Sequence, residues 1–327
     1  MKYFYLLLFT TGLFTSCNFD SVRPASSGKP GELIVVIDSM TWKSEAGSKM
    51  QDSLMMAVPG LPQVEPSLTV VTVPQDKFKN LLQNHRNVLM VETGPVTGNK
   101  PYALTMKHDL WSAPQLVLNL RAVNSAELSN AVNAMAATIR ERFLEEDRNR
   151  FVEKLKLDKK SAVATELDSH LGIQLPLSDD YFTAKKEQDY IWIRKETANS
   201  SFGFQVHRFP YTSDSSFTLE AIVALRDSLS KKHVPGPLDG SYMTTDKNFP
   251  FTLSTSEIAN SYSKTVRGLW RTEGDFMGGP FLAYLILDKA NSQLVFIDSY
   301  IYAPKFDKRE YVRQIDAIVH ALTFTKK

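Results

Sequence analysis

"FLAYLILDKANSQLVFIDSYIY", residues 281–302, is the stretch on which the fold turns. Two β-rich runs surround Lys289-Ala290-Asn291-Ser292, the pattern of two strands joined by a short loop. Upstream, similar runs predict strands near 181–184, 189–196, 202–209 and 263–271, with a helix from Phe217 to Lys232. Downstream, Asp307 opens a closing helix whose Tyr311, Ile315, Ile318 and Leu322 face inward. Strands and helices so mixed describe an α+β unit.

The first half of the chain echoes parts of the second. Asp52-Ser53-Leu54 matches Asp227-Ser228-Leu229, Val58-Pro59-Gly60 matches Val234-Pro235-Gly236, and Gln115-Leu116-Val117 matches Gln293-Leu294-Val295. The matches keep their order and nearly one offset, which points to an imperfect internal duplication. In the first half "ELIVVID" (32–38), "LTVVTVP" (68–74) and "NVLMVET" (87–93) read as strands. Trp42 to Ala57 reads as a helix, with Trp42, Ala46, Met50 and Leu54 recurring every four residues. "FKNLLQNH" (78–85) reads as a short helix, and "YALTMKHDLW" with "PQLVLNLRA" as an antiparallel pair. Ser125 caps a long helix that closes the unit. The expected division is a first unit over 32–157 and a second over 158–327, each a mixed or antiparallel sheet with helices mainly on one face.

Ahead of these units stands "MKYFYLLLFTTGLFTSC", residues 1–17, holding the only cysteine. Its apolar run of Tyr3 to Phe14 would cover about 18 Å as a helix, against a hydrocarbon core of about 30 Å. A positive start, a short apolar region and small residues at its end are the marks of a secretory signal. Thr15-Ser16 before Cys17 resembles the lipobox of bacterial lipoproteins, in which the cysteine is acylated and the signal over 1–16 is removed. Residues 17–31, rich in Ser, Pro and Gly, read as a flexible tether between the membrane and the body. Asn18 after the cysteine, with no acidic run following, predicts an outer-membrane anchor with the body in the periplasm.

"GLWRTEGDFMGGPF" (268–281), "YAPKFDKREY" (302–311) and "SGKPGELIVVID" together resemble an uncharacterised family of Bacteroidetes lipoproteins carrying a domain of unknown function of the DUF4837 type. The resemblance covers nearly the whole mature chain. It implies an envelope lipoprotein and carries no activity, substrate or catalytic residue. It also implies host cells that attach O-glycans at Asp-Ser/Thr before an apolar residue, which makes Ser39, Ser53 and Ser228 candidate acceptors. Polar residues on exposed helix faces explain the same tripeptides.

Composition and motifs exclude more than they assign. Removal of Lys2 with the signal leaves 37 basic against 36 acidic residues, too even for a nucleic-acid footprint. One thiol allows no internal disulfide. The six histidines are scattered, and neither His-Glu-x-x-His nor Gly-x-Ser-x-Gly occurs, so no metal or cofactor is implied. Glu145, Glu146 and Asp147 alternate with Arg142, Arg148 and Arg150 and read as a solvated helix face. The glycine-rich Gly274–Pro280 could bring backbone N–H groups to an anion, or be a tight turn into the strand at Phe281. Beside it Trp270, Phe276 and Met277, rimmed by Arg271 and Asp275, form the candidate binding surface. Two functions stay open: a non-enzymatic binding or assembly lipoprotein facing an envelope protein or glycan, and an envelope hydrolase of glycan, peptide or lipid with an unfamiliar site.

Overall fold

The computed structural model describes residues 23–157 and 160–325. The leader, Cys17 and the start of the expected tether lie outside the described residues. The first unit runs β1 (Glu32–Val36), α1 (Ser39–Lys43), α2 (Glu45–Leu54), β2 (Thr69–Val73), β3 (Asn87–Thr93), β4 (Tyr102–His108), β5 (Leu116–Ala122) and α3 (Ser125–Lys156). Its five strands lie in the order β2-β1-β3-β5-β4, parallel except for β4 at one edge. Parallel neighbours need a crossover, and α1 with α2 supplies the one between β1 and β2. On one face Ala46, Met50 and Leu54 meet Leu128, Val132, Ile139 and Phe143 of α3. The three- and four-residue spacing in α3 keeps those side chains on one stripe. A smaller core on the other face is closed by Phe78 and Trp111, whose rings meet edge-on at 5.4 Å.

The second unit runs α4 (Ala162–Leu171), β6 (Ile173–Gln174), β7 (Tyr181–Glu187), β8 (Tyr190–Glu196), β9 (Ser201–Pro210), α5 (Leu219–His233), β10 (Tyr242–Thr245), β11 (Thr252–Ile258), β12 (Ser261–Glu273), β13 (Gly278–Asp288), β14 (Gln293–Tyr302), α6 (Arg309–His320) and β15 (Thr323–Phe324). Its large sheet is antiparallel throughout, in the order β10-β12-β13-β14-β9-β8-β7, with β11 on the other half of β12. The hairpin over 281–302 sits at its centre, paired from Phe281–Tyr300 to Asp288–Gln293.

The α+β class therefore holds, but three expectations about the units do not survive the geometry. The second sheet carries helices on both faces, α5 on one and α4 with α6 on the other, not mainly on one. The echo between the halves is not carried into topology: a five-stranded mixed sheet faces an eight-stranded antiparallel one, and β5 pairs parallel with β3 where β14 pairs antiparallel throughout. The tether is docked over its second half. Ser27 and Ser26 donate backbone N–H bonds to Asn84 and Ala113, and Gly31 donates to Asp147 Oδ2 at 2.6 Å.

Local corrections have local causes. The helix expected over 42–57 is two, because the Ser44 side chain caps a new start by accepting from the Gly47 N–H. Residues 78–85 hold only a short 3₁₀ turn at 80–82, following another at 75–77. Asn124, not Ser125, caps α3, accepting from the Glu127 N–H at 2.9 Å. The face expected to be solvated is split: the side chains of Arg142 and Glu145 are exposed and pair at 3.1 Å, whereas those of Asp147 and Arg150 are buried. Asp147, 7% exposed, receives Arg150 at 2.9 Å, Arg86 at 3.3 Å and Asn87 at 3.2 Å.

The two units share an interface built on α3 and α6. The 32 residues of α3 span about 48 Å, enough for its last turns to leave the first sheet. There Leu155 joins the second unit's core and Arg148 pairs with Asp316 at 3.6 Å. Glu65 of the first unit accepts from the N–H groups of Lys308 and Arg309, each at 2.8 Å. It thereby caps α6, whose own N-cap side chain makes no capping bond. Among the described residues no helix is long and apolar enough to cross a membrane.

Candidate functional site: an aromatic cleft where a helix ends

Antiparallel register lines up alternate side chains in rows across a sheet face. On the α5 face one row runs Trp192, Gln205, Asp298, Ala283, and the next runs Arg194, Gly203, Tyr300, Phe281. A third pairs Glu196, Ser201 and Tyr302. α5 covers the first row and ends at His233, where the chain turns off through Pro235-Gly236-Pro237. Past that end the second and third rows are left without a helix. Arg194 and Tyr300 of the second row and all of the third row line a cleft of about 670 Å³, with Trp192 at the end of the first row and Trp270 of β12 beside them.

Gly203 shapes the cleft floor. A Cβ there would lie 2.3 Å from the Tyr300 ring, so only glycine lets the ring lie across β9. The Tyr300 hydroxyl consequently reaches β8 and accepts from Trp192 Nε1 at 3.1 Å. Burial pushes the Tyr300 phenol up to about 12, which keeps it protonated. Trp270 meets Tyr300 edge-on at 5.8 Å and donates its indole N–H to the Ile301 carbonyl at 3.1 Å. That approach needs a second bare position, because a Cβ on Gly279 would fall 2.0 Å from the same carbonyl oxygen. Both indole N–H groups are thus used internally, and the aromatic rings are held in fixed orientation.

The walls differ in character. One is the β8–β9 turn, where the Ser200 N–H donates to Thr197 Oγ1 at 3.0 Å and Asn199 stands exposed. Opposite lie Met243, Met277 and the Pro235–Pro237 segment. The Arg194 guanidinium lies 4.9 Å above the Trp192 ring and pairs with Glu196, the one carboxylate among the described residues that lines the cleft. Among the described residues no group of three His, Cys, Asp or Glu side chains is placed to hold a metal. The cleft offers aromatic surface below and hydroxyl and amide groups at one side.

Residues 160–321, which contain the whole cleft, match the family model "Domain of unknown function (DUF4837)". The second unit belongs to the DUF4837 family. Residues 26–156 match a different model, "Domain of unknown function (DUF8532)". The crystal structure of LpqN, involved in cell envelope biogenesis of Mycobacterium tuberculosis, is similar over 47% of this chain and 83% of that one, at 13% identity and a TM-score of 0.31. No curated protein matches.

Within the DUF4837 unit the expected binding surface is divided. Trp270, only 3% exposed, and Met277 line the cleft. Arg271 points to the opposite face, as strand alternation requires, and pairs with Glu273 at 2.5 Å. Asp275 accepts from the Phe276 N–H at 2.6 Å and shapes a turn at whose tip Phe276 is fully exposed. The glycine-rich stretch is that turn: Gly274 alone takes a positive φ, of 86°, while Gly278 and Gly279 are strand residues. Trp192, Tyr300, Tyr302 and Gly203 were not singled out by the sequence; alternation in "YIWIRKE" and "FIDSYIY" is the signal that carries the three aromatic residues, and Gly203 is carried by none. Ser39 and Ser228 are exposed on α1 and α5, and Ser53 is half-buried on α2.

Proposed function

We propose that this protein is a non-enzymatic binding module of the cell envelope, held to the outer membrane by acyl chains on Cys17 with its body in the periplasm. Its ligand is a saccharide, taken in the cleft floored by Trp192, Trp270, Tyr300 and Tyr302. The observation that carries this reading is the pairing of a rigid aromatic floor with a hydroxyl- and amide-bearing wall. Such a site suits a ring with an apolar C–H face and polar edges. The floor is recessed below its walls, which a thin chain reaches and a flat protein face does not. A single, already paired carboxylate supports binding over paired-carboxylate hydrolysis.

The test is tryptophan emission of the purified full chain titrated with neutral and acidic oligosaccharides. Saturable change is expected, weakened at least tenfold in Tyr302→Ala and Asn199→Ala. A chain that binds none of the sugars, or variants that bind as the parent does, would remove the cleft as the site.

A further inference from the structure

A second recess of about 580 Å³ adjoins the cleft and shares Trp192 and Pro235 with it. Its lining is basic where the cleft's is aromatic: Lys185, Lys231 and Lys232 converge on it around His233 and Tyr242. These lysines come from two elements. Lys231 and Lys232 stand in the last turn of α5, where cations complement the helix dipole. That accounts for two of them and not for Lys185, which lies on edge strand β7 directly opposite Trp192.

The charges inside the recess do not cancel. Glu187 is the carboxylate within reach, 3.1 Å from both Lys185 and Lys232. Lys231 instead lies 4.9 Å above the Tyr242 ring and has no carboxylate partner among the described residues. His233 adds no negative charge and takes no proton to compete, since it accepts from Lys185 Nζ at 3.0 Å through Nδ1. Its ring is stacked on Tyr190 at 3.9 Å and is buried, so the back wall is rigid. Three ammonium groups against one carboxylate, in a concavity next to an aromatic floor, leave an excess of positive charge facing solvent.

We propose that the saccharide bound in the cleft is anionic, its carboxylate or phosphate seated in the Lys185–Lys231–Lys232 recess while a sugar ring lies over the aromatic floor. The inference rests on the saccharide reading and adds the charge of the ligand to it. Trp192 is the hinge of the arrangement, because its side chain lines both spaces. Lys185 is the residue placed to read the anion nearest the ring, one strand away from that indole.

The probes are matched pairs that differ only in charge: trigalacturonate against its methyl ester, and glucose 6-phosphate against glucose, each titrated into the full chain. Binding of the acid at least tenfold tighter than its neutral partner is expected, with an affinity that falls as salt rises. The galacturonate and phosphate arms separate the two sources of the anion. Lys185→Gln with Lys231→Gln should abolish the preference and leave the affinity for the methyl ester unchanged. Equal affinity for acid and ester, with Tyr302→Ala still weakening both, would overturn the charge inference and leave the saccharide reading standing. Failure of all four probes would overturn both. Inorganic phosphate binding as tightly as the sugar phosphate would show an anion site unconnected to the cleft, which also sinks the proposal.

Discussion

Arg226 Nε lies 2.9 Å from Asp298 Oδ1, and neither side chain has any solvent exposure. The pair joins α5 to the central strand β14 beside the cleft. Gln205 donates to the other carboxylate oxygen at 2.8 Å, Thr245 accepts from Arg226 Nη1 at 3.0 Å, and the guanidinium stacks 4.0 Å above Phe281. Buried ion pairs contribute little net stability, yet removing one partner strands a charge and costs about 3–5 kcal/mol. Arg226→Met and Asp298→Leu should each lower the unfolding free energy by about that much. Arg226→Met combined with Asp298→Leu should lose less than the two single losses together, because no charge is stranded. Additive losses in a double-mutant cycle would show that the pair is not coupled.

Glu65 makes a comparable link between the units. Its two oxygens take the first N–H groups of α6, so a residue from one unit completes a helix of the other. Losing a capping side chain costs about 1 kcal/mol, and an anion at a helix N-terminus adds some tenths more. Glu65→Ala should therefore destabilise the chain by about 1–2 kcal/mol and speed hydrogen exchange in the first turn of α6. Glu65→Gln, which keeps an acceptor and loses the charge, should fall between. Unchanged exchange at Lys308 and Arg309 in the alanine variant would refute the cap.

How much was readable follows from what each feature depends on. The β13–β14 hairpin and α3 depend on local pattern, one a long apolar run around a short turn and the other a periodic stripe, and both were legible. β10 and β11 were not, because "YMTT" and "TLSTSEI" are polar strands that exist only by pairing with β12. Asp147 looked solvated because its neighbours alternate in charge. What buries it is Gly31, Arg86 and Asn87, all distant in sequence. The cleft divides in the same way. Trp270 and Met277 stand out beside a glycine-rich turn, whereas Trp192, Gly203 and Tyr300 become one site only through register across three strands.

His233 gives the molecule a pH dependence with a definite sign. Burial is the main cause holding its pKa at about 4, aided by Lys185 and Lys232 and opposed by Glu187. Against a value of 6.5 when unfolded, the unfolded chain gains a proton first as pH falls. The neutral ring's contribution is complete above about 6.5 and is lost as pH drops toward 4. Urea midpoints of the parent and of His233→Gln, compared from pH 7.5 down to pH 4, should converge because the variant lacks this component. Curves that stay parallel would mean that folding does not lower the pKa of His233.

The membrane anchor is the last prediction, and it rests on length. A run of twelve apolar residues is too short to span the bilayer, so on the lipoprotein reading proposed above it is acyl chains on Cys17 that would hold the chain. Each buried CH₂ contributes about 0.8 kcal/mol, and one acyl chain holds only marginally while two or more hold stably. Native material should therefore weigh more than the polypeptide that starts at Cys17, by the mass of at least two acyl chains. Cys17→Ala should move from the membrane pellet to the supernatant after a carbonate wash. A free thiol in the native protein, or a Cys17→Ala variant that stays in the pellet, would end the lipoprotein reading and with it the reason for placing the cleft in the periplasm.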